Sequence, residues 1–577
     1  MRARLSPARE LTLAALGAAV LAVVMQWPLV LHLGSDVAKD LGDPLAQAWQ
    51  VAWGGHALLH QPLRFFDSNQ FHPLHDTLAF SDALVGYAPA GAIGSGPAAA
   101  VARYDLLFLF AYALAFLGAY ALARVLGVGR ACAVVAGAAF AFTPWRLEQA
   151  GHLHVISSGG IPLALALLVW GWRRRRPWVV LGGWVVATWQ LSLGWTLGLQ
   201  LAYLLAALGI VAGVRRWRTE RRARPDRGLL IAAGGGALLF AVVGVLLGRV
   251  YLHVADTFPQ AARGPRTVAY YSGGPVELLA AGRGSLVWSG ITAAARARVN
   301  TAAEQSLFPG LTIMLLAALG AWRGPWSRAL RTGLAAGVIA TAVLALGFAD
   351  AGHRWLYPYG WLYALPGWSA VRTPGRLMTL TTLGLALLAA AGAQRLAAPR
   401  GPTSASVGPG VAPTAARPAP SARASARRWL PWALTALILL EGCAFSLHGG
   451  RLSGPPHPRV ERPPAGLAAA RAPMLELPLG AFDNRRYLLW STAGFPALVN
   501  GRSSLNPPSF LRLDAELRAF PDAATVARLR ALGVRTVVLH RAHLAGTAWA
   551  GWAARPVPPG VSRELRDGVV LYRLAPG

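Results

Sequence analysis

The strongest constraint on this chain is a series of apolar runs, each about as long as a helix that crosses a bilayer. The runs lie near residues 11–31, 105–123, 131–143, 155–172, 178–194, 195–213, 228–252, 307–322, 332–349, 377–396 and 429–447. Roughly 18–20 apolar residues are needed to cross the hydrocarbon core. The sequence therefore predicts a mainly α, polytopic membrane protein with about eleven transmembrane helices.

The charge composition agrees with a membrane protein and argues against a nucleic-acid partner. Only 14% of the 577 residues are charged, whereas soluble proteins have about 25%. The formal net charge of +31 comes almost entirely from arginine, since Lys39 is the only lysine. The arginines cluster between apolar runs, as expected for loops that stay in the cytoplasm. Cys132 and Cys443 both lie within apolar segments, which indicates packing roles and no disulfide framework.

The distribution of charge also predicts the topology. Arg2, Arg4 and Arg9 precede the first run, so we expect a retained first helix with its N-terminus in the cytoplasm. The cytoplasmic connections would then be the arginine-rich segments at 123–130, 173–176, 215–227, 323–331 and 397–428. Nearly all of the 24 acidic residues fall on the opposite side. Because acids steer insertion only weakly, this asymmetry indicates a functional use.

The chain divides into a membrane part and a C-terminal domain. Residues 1–399 form the transmembrane domain with a long first outer loop at 34–104, and residues 400–428 are a low-complexity segment typical of a disordered cytoplasmic linker. The last transmembrane helix, 429–447, leads into an extracytoplasmic domain at 448–577. Residues 83–101 are apolar, but their glycines and prolines favour a re-entrant or surface-lying segment.

The C-terminal domain has the pattern of a small α/β domain. The segments "APMLELPL", "TVVLH" and "GVVLYRL" are typical of strands, and residues 523–533 are typical of an amphipathic helix.

The first outer loop carries a cluster of carboxylates just after the first apolar run. Asp36, Asp40 and Asp43 lie within "SDVAKDLGDPLAQAWQVAW". A carboxylate at the membrane surface can accept a proton from a hydroxyl nucleophile or bind a divalent cation. In the alternative interpretation, Asp43 is only a helix N-cap ahead of Pro44.

Several motifs resemble those of bacterial members of the GT-C superfamily of membrane glycosyltransferases. They are "DLGDPLAQAWQVAW", "FFDSNQFHPLHDTLAFSDALVG", "AFAFTPWRLEQAGHLHVIS", "LPGWSAVRTPGRLMTL", "LVNGRSS" and "ALGVRTVVLH". The resemblance implies a GT-C-like helix arrangement in the bacterial cytoplasmic membrane. It also implies transfer of a sugar from a polyprenyl-phosphate or polyprenyl-diphosphate carrier to an acceptor at the outer face. If the transfer is a single displacement, the configuration at the anomeric carbon is inverted.

The resemblance assigns the catalytic role to an acid at the start of the first outer loop. Asp40 matches this position best and Asp43 is next; either would act as the base or as a metal ligand. Glu304, in a later outer loop, would contribute a second acid. The implied cofactor is a divalent cation, Mg²⁺ or Mn²⁺, held by Asp40 and Glu304.

Other polar residues are candidates for binding substrate. Arg372 and Arg376 suit the carrier phosphate, because a guanidinium binds phosphate through two hydrogen bonds, although both could instead anchor lipid headgroups. Arg146, His152 and His154 could bind a phosphate or the acceptor, or simply pack at the interface. The pairs His56/His60 and His72/His75 have the spacing of zinc ligands but lack cysteine partners.

Two other functions are alternatives to a glycosyltransferase, and the sequence supports both of them less well. A transporter would carry charges in mid-span and repeated halves, which this sequence lacks. A non-catalytic GT-C-like scaffold or binding protein in envelope assembly would share the fold without the chemistry. Neither the sugar, the acceptor nor the length of the carrier can be inferred from the sequence.

Overall fold

The computed structural model describes residues 6–219, 226–398, 422–448 and 451–575. Its longer helices, in chain order, are α1 (Pro7–Met25), α2 (Asp43–His60), α3 (Gly96–Val125), α4 (Arg130–Ala141), α5 (Gly160–Arg174), α6 (Pro177–Leu193), α7 (Trp195–Thr219), α8 (Arg227–Thr257), α9 (Leu311–Arg323), α10 (Arg328–Ala345), α11 (Met378–Ala397), α12 (Ala422–Glu441), α13 (Ala481–Trp490), α14 (Pro508–Glu516) and α15 (Ala523–Ala531). Shorter α-helices lie at Ala88–Gly91, Pro144–Glu148, Leu153–Ile156, Pro265–Tyr270, Trp288–Ile291, Ala293–Arg296, Ala302–Gln305 and Pro358–Tyr363.

The mainly helical fold is as predicted, and each of the eleven apolar runs contains one of these helices. Seven helical segments of the described chain are long and apolar enough to cross a membrane: Pro7–Met25, Gly96–Val125, Leu153–Arg174, Trp195–Arg218, Arg227–Thr257, Arg328–Ala345 and Pro374–Ala397. The helices Arg130–Ala141 and Leu311–Arg323 are apolar but shorter. The count of eleven membrane spans therefore stays a prediction.

The helices differ strongly in how much of their surface the protein covers. The most apolar stretch of 18 residues in each segment shows this difference. In Pro374–Ala397, 78% of these residues are buried, whereas the share is 11% in Arg227–Thr257 and 6% in Arg328–Ala345. The first segment, which contains α11, is thus the centre of the bundle. The other two, which contain α8 and α10, are peripheral and expose apolar faces suited to lipid.

Two glycines allow α9 and α11 to pack closely. A Cβ atom at Gly320 would lie 1.9 Å from the Leu388 carbonyl oxygen, and one at Gly392 would lie 2.1 Å from that of Leu316. Side chains larger than hydrogen would force these backbones apart. Small residues at such positions are typical of helix pairs within membranes.

The C-terminal part contains a mixed sheet of four strands. Its strands are β3 (Met474–Leu477), β4 (Thr536–His540), β5 (Val561–Arg566) and β6 (Val569–Leu574), in the order β3-β4-β6-β5. β3 is parallel to β4, whereas β6 is antiparallel to both β4 and β5. A separate hairpin joins β1 (Ser446–His448) and β2 (Arg451–Ser453). The three segments predicted as strands and the helix predicted at 523–533 are all found.

Two local predictions have different outcomes. The predicted linker at 400–428 lies largely outside the described residues, but residues 422–428 form the start of α12 rather than disordered chain. The segment at 83–101 forms two short helical turns, after which α3 begins at Gly96, well before the predicted residue 105.

Main-chain hydrogen bonds tie the first outer loop to the C-terminal part. The amides of Val37 and Lys39 donate to the carbonyls of Pro458 and Pro456, at 3.1 and 2.9 Å. Further along, residues 69–72 pair in the same way with residues 498–500. Because two separate stretches of the loop pair with it, the C-terminal part is fixed directly over the start of α2.

Asn69 is central to this contact and gives a test of it. Its Oδ1 accepts from Trp49 Nε1 at 3.0 Å, and its Nδ2 donates to Ser491 Oγ at 3.0 Å and to the Pro496 carbonyl at 2.8 Å. Asn69→Ala leaves these buried groups unpaired, which costs about 1–3 kcal/mol. We expect a lower melting temperature by scanning fluorimetry, while the exposed control Asn300→Ala stays close to the wild type. Equal melting temperatures for both variants would contradict this role.

Candidate active site

A polar pocket opens where one end of the helix bundle meets the C-terminal part. Its volume is about 380 Å³. The membrane part lines it with Asp43, Ala46, Gln47, Gln50, Ser81, Asp82, His154, Thr196, Arg263, Ala370, Arg372 and Arg376, and the C-terminal part with Arg485, Arg502, Ser503, Ser504 and Asn506. Five of these residues are arginines, so we call it the arginine pocket.

One face of α2 supplies a wall of the pocket. Asp43, Ala46, Gln47 and Gln50 are spaced i, i+3, i+4 and i+7, which places them on the same side of a helix. Asp43 is the first residue of the helix, and the N-cap position is occupied by Gly42. The interpretation of Asp43 as only an N-cap is therefore wrong, and its carboxylate is directed to other partners.

The Asp43 carboxylate contacts two cationic or basic groups. Arg485 Nη2 donates to Oδ1 at 2.6 Å, and His152 Nε2 lies 3.4 Å from Oδ2. Burial opposes ionisation, but the contacts with His152 and the charge of Arg485 outweigh it, so the pKa of the Asp43 carboxyl lies well below its usual range. Asp43 is thus an anion at neutral pH.

A second carboxylate, Glu304, lies behind the pocket wall. Its Oε1 accepts from Arg376 Nη2 at 2.8 Å and lies 3.9 Å from His152 Nε2. Burial alone would raise the pKa of the Glu304 carboxyl. The charges of Arg376 and, after it, of His152 together have the larger effect and lower this pKa to about 2. His152 therefore lies between the carboxylates of Asp43 and Glu304.

Arg376 and His154 link this network to the pocket. Arg376 Nη1 lies 3.1 Å from His154 Nε2, and His154 Nδ1 lies 3.3 Å from Gln47 Nε2. Asp82 Oδ2 is 3.6 Å from the same imidazole. Asp82 also accepts from the Trp195 amide at 2.5 Å, and burial raises its pKa. Asp82 thereby joins the start of α7 to the pocket wall.

The remaining arginines of the pocket crowd one another. Burial lowers the pKa of Arg263, and the nearby charge of Arg372 lowers it further. Burial likewise lowers the pKa of Arg502, with Arg485 contributing like-charge repulsion. Five cations face only two acids, Asp43 and Asp82, within the lining. This excess of positive charge is suited to an anionic ligand with several oxygen atoms.

Asp40 lies apart from the arginine pocket. Its Oδ1 accepts from the Gly42 amide at 2.7 Å, and it lines a separate pocket of about 610 Å³. That pocket, the Asp40 pocket, is lined by Lys39, Asp40, Leu41, Leu45, Pro456, His457, Pro458, Phe482 and Arg486. The two acids predicted as catalytic are thus neighbours in sequence that face different cavities.

The structure does not bring Arg146 to either pocket. Its guanidinium is 0% exposed and donates to the carbonyls of Ala141 and Ile156 and to the Ser158 hydroxyl. All of these partners lie within the protein, at 2.8 to 3.1 Å. In this structure the Arg146 side chain therefore joins parts of the segment 141–158 to one another and does not reach either pocket, where it was predicted to bind substrate.

The predicted metal ligands do not meet in a cation site. Asp40 faces its own pocket, while Glu304 is neutralised by Arg376 at 2.8 Å. Among the described residues, no group of three or more His, Cys, Asp or Glu side chains is placed to hold a metal ion. In the lining of the arginine pocket the five arginines outnumber the two acids, so the pocket fits an anion better than a metal.

Sequence reasoning missed the contribution of the C-terminal part. Arg485 and Arg502 line the same pocket as Asp43, although both come more than 400 positions later in the sequence. Nothing within "DNRRYLLW" separates Arg485 from Arg486, although Arg486 lines the Asp40 pocket instead. Arg502 lies in the "LVNGRSS" motif, which carried the family resemblance but no assigned role.

The Glu304–Arg376 pair gives a prediction about pH. Glu304→Gln leaves a buried cation without its partner, which costs about 3 kcal/mol at pH 7. A depressed carboxyl pKa stabilises the fold above the unfolded pKa of about 4.3 and ceases to do so as the pH falls toward about 2. The gap in melting temperature between wild type and Glu304→Gln should therefore be largest at pH 7 and shrink below pH ~4.

The matched control is Glu516→Gln, because Glu516 is about half exposed and lies 3.9 Å from Arg528. This variant should melt close to the wild type at every pH. A gap for Glu304→Gln that is as large at pH 3 as at pH 7 would refute the assignment.

The chain is similar to two structures of the Archaeoglobus fulgidus oligosaccharyltransferase. One is the apo form, with 14% identity and a TM-score of 0.42 over 92% of this chain and 69% of the other. The other is tethered by a disulfide to an acceptor peptide with an NVT sequon, with 14% identity and a TM-score of 0.43 over 98% of this chain and 74% of the other. No family model and no curated protein matches the chain. Similarity at this level does not establish an activity, so a function for this chain has to be argued from the residues of its own site.

Proposed function

We propose that this chain is a membrane glycosyltransferase of the GT-C type, which transfers a sugar from a polyprenyl-phosphate carrier to an acceptor. The observation that carries the proposal is the arginine pocket. There, five arginines and the anionic carboxylate of Asp43 line one cavity of about 380 Å³, between one end of the helix bundle and the C-terminal part. The acceptor, the sugar and the length of the carrier are not specified by this geometry.

The arginines would bind the phosphate of the donor. Guanidinium groups form paired, charge-assisted hydrogen bonds to phosphate oxygens. Arg372 and Arg263 would approach from the membrane side, and Arg502 from the C-terminal part. The negative charge of a bound phosphate would offset the repulsion between Arg263 and Arg372 and between Arg502 and Arg485, which adds to burial in lowering the pKa values of Arg263 and Arg502. The isoprenoid chain of the carrier would remain in the bilayer beside the helices.

The reaction we propose is a single displacement at the anomeric carbon. The acceptor nucleophile forms a bond to that carbon as the bond between the carbon and the phosphate oxygen breaks. The electron pair of the broken bond goes to the phosphate, where the arginines stabilise the added charge. Displacement from the opposite side inverts the configuration of the anomeric carbon.

Asp43 is better placed than Asp40 for the reacting centre, because it lines the same pocket as the arginines. Its ionised carboxylate would orient the nucleophile and stabilise positive charge at the anomeric carbon. The Asp43 carboxylate would also receive the proton of the nucleophile, while His152, 3.4 Å away, holds that carboxylate in place. No step of this mechanism requires a metal ion, and the Mg²⁺ or Mn²⁺ dependence expected from the sequence stays a prediction.

The same proposal includes an orientation in the membrane. With the arginine-rich connections in the cytoplasm of a bacterial cell, the N-terminus is cytoplasmic, and the arginine pocket and the C-terminal part face outward. The partners are then the bilayer, the carrier-linked sugar and an acceptor reaching the outer face.

Binding of the carrier phosphate can be measured without knowing the sugar. We expect a short-chain polyprenyl phosphate to bind the detergent-solubilised protein saturably in isothermal titration calorimetry. Arg372→Gln/Arg502→Gln should weaken this binding by about tenfold or more, since two charge-assisted contacts are lost. The control Arg266→Gln removes a nearby charge that does not line the pocket and should bind like the wild type. Equal weakening in both variants would contradict a specific phosphate site.

Transfer itself separates Asp43 from Asp40. With a panel of polyprenyl-phosphate sugars and candidate acceptors, we expect Asp43→Asn to lower the rate by about 100-fold or more. Asp40→Asn should lower it far less, and a chelator should leave the wild-type rate unchanged. Size-exclusion chromatography and melting temperatures would verify that both variants fold.

A different pattern would correct the proposal. A larger loss in Asp40→Asn, together with sensitivity to chelator, would return catalysis to Asp40 and a metal. Carrier binding without transfer from any donor would favour the non-catalytic binding protein.

A further inference from the structure

A large groove lies at the end of the helix bundle opposite the arginine pocket. Its volume is about 940 Å³, and it runs between α5, α6, α7 and α8. At this end α5 and α7 finish and α6 and α8 begin. We call it the basal groove.

The walls and the mouth of the basal groove differ in chemistry. Deeper in the groove, aliphatic side chains such as Leu168, Leu205 and Leu208 line the walls, together with Trp184. At the mouth the lining includes Arg173, Arg175, Arg215 and Arg216, and among the lining residues that the structure describes Asp226 is the only acid. A ligand that matches this groove has an anionic head and an apolar body.

The surroundings of the groove place its mouth at a membrane surface. Trp172 is 38% exposed, Trp178 is 69% exposed and Trp217 is 62% exposed, and all three lie at this end of the helices. Exposed tryptophans are typical of the boundary between hydrocarbon and headgroups. The neighbouring helices α7 and α8 are largely uncovered by protein: in the most apolar stretch of each helix, 28% and 11% of the residues are buried. The groove therefore opens sideways to lipid.

We propose that the basal groove binds an anionic phospholipid of the membrane, with the headgroup phosphate at the arginines and part of an acyl chain along the leucines. Basic pockets between transmembrane helices bind acidic lipid headgroups in this way. A free phosphate would use the arginines but not the apolar walls. The site is independent of the arginine pocket and of the activity proposed for it.

Two glycines at the groove allow it to be blocked without removing charge. A Cβ atom at Gly209 or at Gly213 would meet no other atom within 4 Å, so a side chain there extends into open space. Gly209→Phe should fill the groove while leaving all four arginines in place. Gly235 on α8 also has open space around it but does not line the groove, so Gly235→Phe is a matched control.

The test counts the lipids that remain bound to the protein. Protein purified in mixed micelles with equal phosphatidylglycerol and phosphatidylcholine would be analysed by native mass spectrometry. We expect the wild type to retain phosphatidylglycerol in preference to phosphatidylcholine by about fivefold or more. Arg175→Gln/Arg216→Gln and Gly209→Phe should both lose this preference, and excess inorganic phosphate should not displace the lipid.

The controls keep the total charge matched. Arg174→Gln/Arg218→Gln removes two arginines at the same end that do not line the groove, and should retain the preference, as should Gly235→Phe. Absence of preference in the wild type, equal loss in both arginine pairs, or full retention in Gly209→Phe would overturn the proposal. Displacement by inorganic phosphate would show a headgroup-only anion site and would overturn it as well.

Discussion

The structure depends on the pairing of the first outer loop with the C-terminal part. The Val460 amide donates to the Ser35 carbonyl at 2.7 Å, and the Lys39 amide to the Pro456 carbonyl at 2.9 Å. A second pairing links residues 69–72 to residues 498–500. Backbone groups buried in such a contact must be paired, so the loop cannot separate from the C-terminal part without a large loss of hydrogen bonds. This constraint places Asp43 opposite Arg485.

Ion pairs then fix the individual side chains. Lys39, the only lysine, donates to Glu148 at 2.7 Å and holds the loop against the segment that comes after α4. Glu304 balances Arg376 on the other side of His152. In the pocket itself the balance is left incomplete, because the five arginines exceed the acids that face them. The paired charges are structural, whereas the uncompensated ones are available to a ligand.

Much of the helical fold could be predicted from the sequence, because apolar length is a local property. The eleven runs contain helices, and the strands β3, β4 and β6 lie where alternating and β-branched residues predicted them. The loop after the first run was also recognised as important from its acids. The number of membrane spans cannot be read from local length alone, since α4 and α9 are apolar but short.

The site was predicted only in part, because tertiary contacts decide which polar groups meet. Asp43, His154, Arg372 and Arg376 do line one pocket, and His152 and Glu304 contact its members. Arg146 was misassigned because the sequence of "TPWRLEQ" does not reveal that the guanidinium turns inward to carbonyl groups. Arg485 was missed because no local pattern joins it to a residue 442 positions earlier.

The contribution of Arg485 and Arg502 has a consequence for biosynthesis. The ribosome completes residues 43–376 well before residues 485–506, so the nascent chain first has three of the five pocket arginines and lacks Arg485, which lies on α13, and Arg502. The arginine pocket is complete only after residues 485–506 have been made and the C-terminal part has folded against the first outer loop. Chains interrupted before residue 485 therefore lack two of its arginines, so a complete pocket marks a chain that has been translated and folded through its C-terminal part.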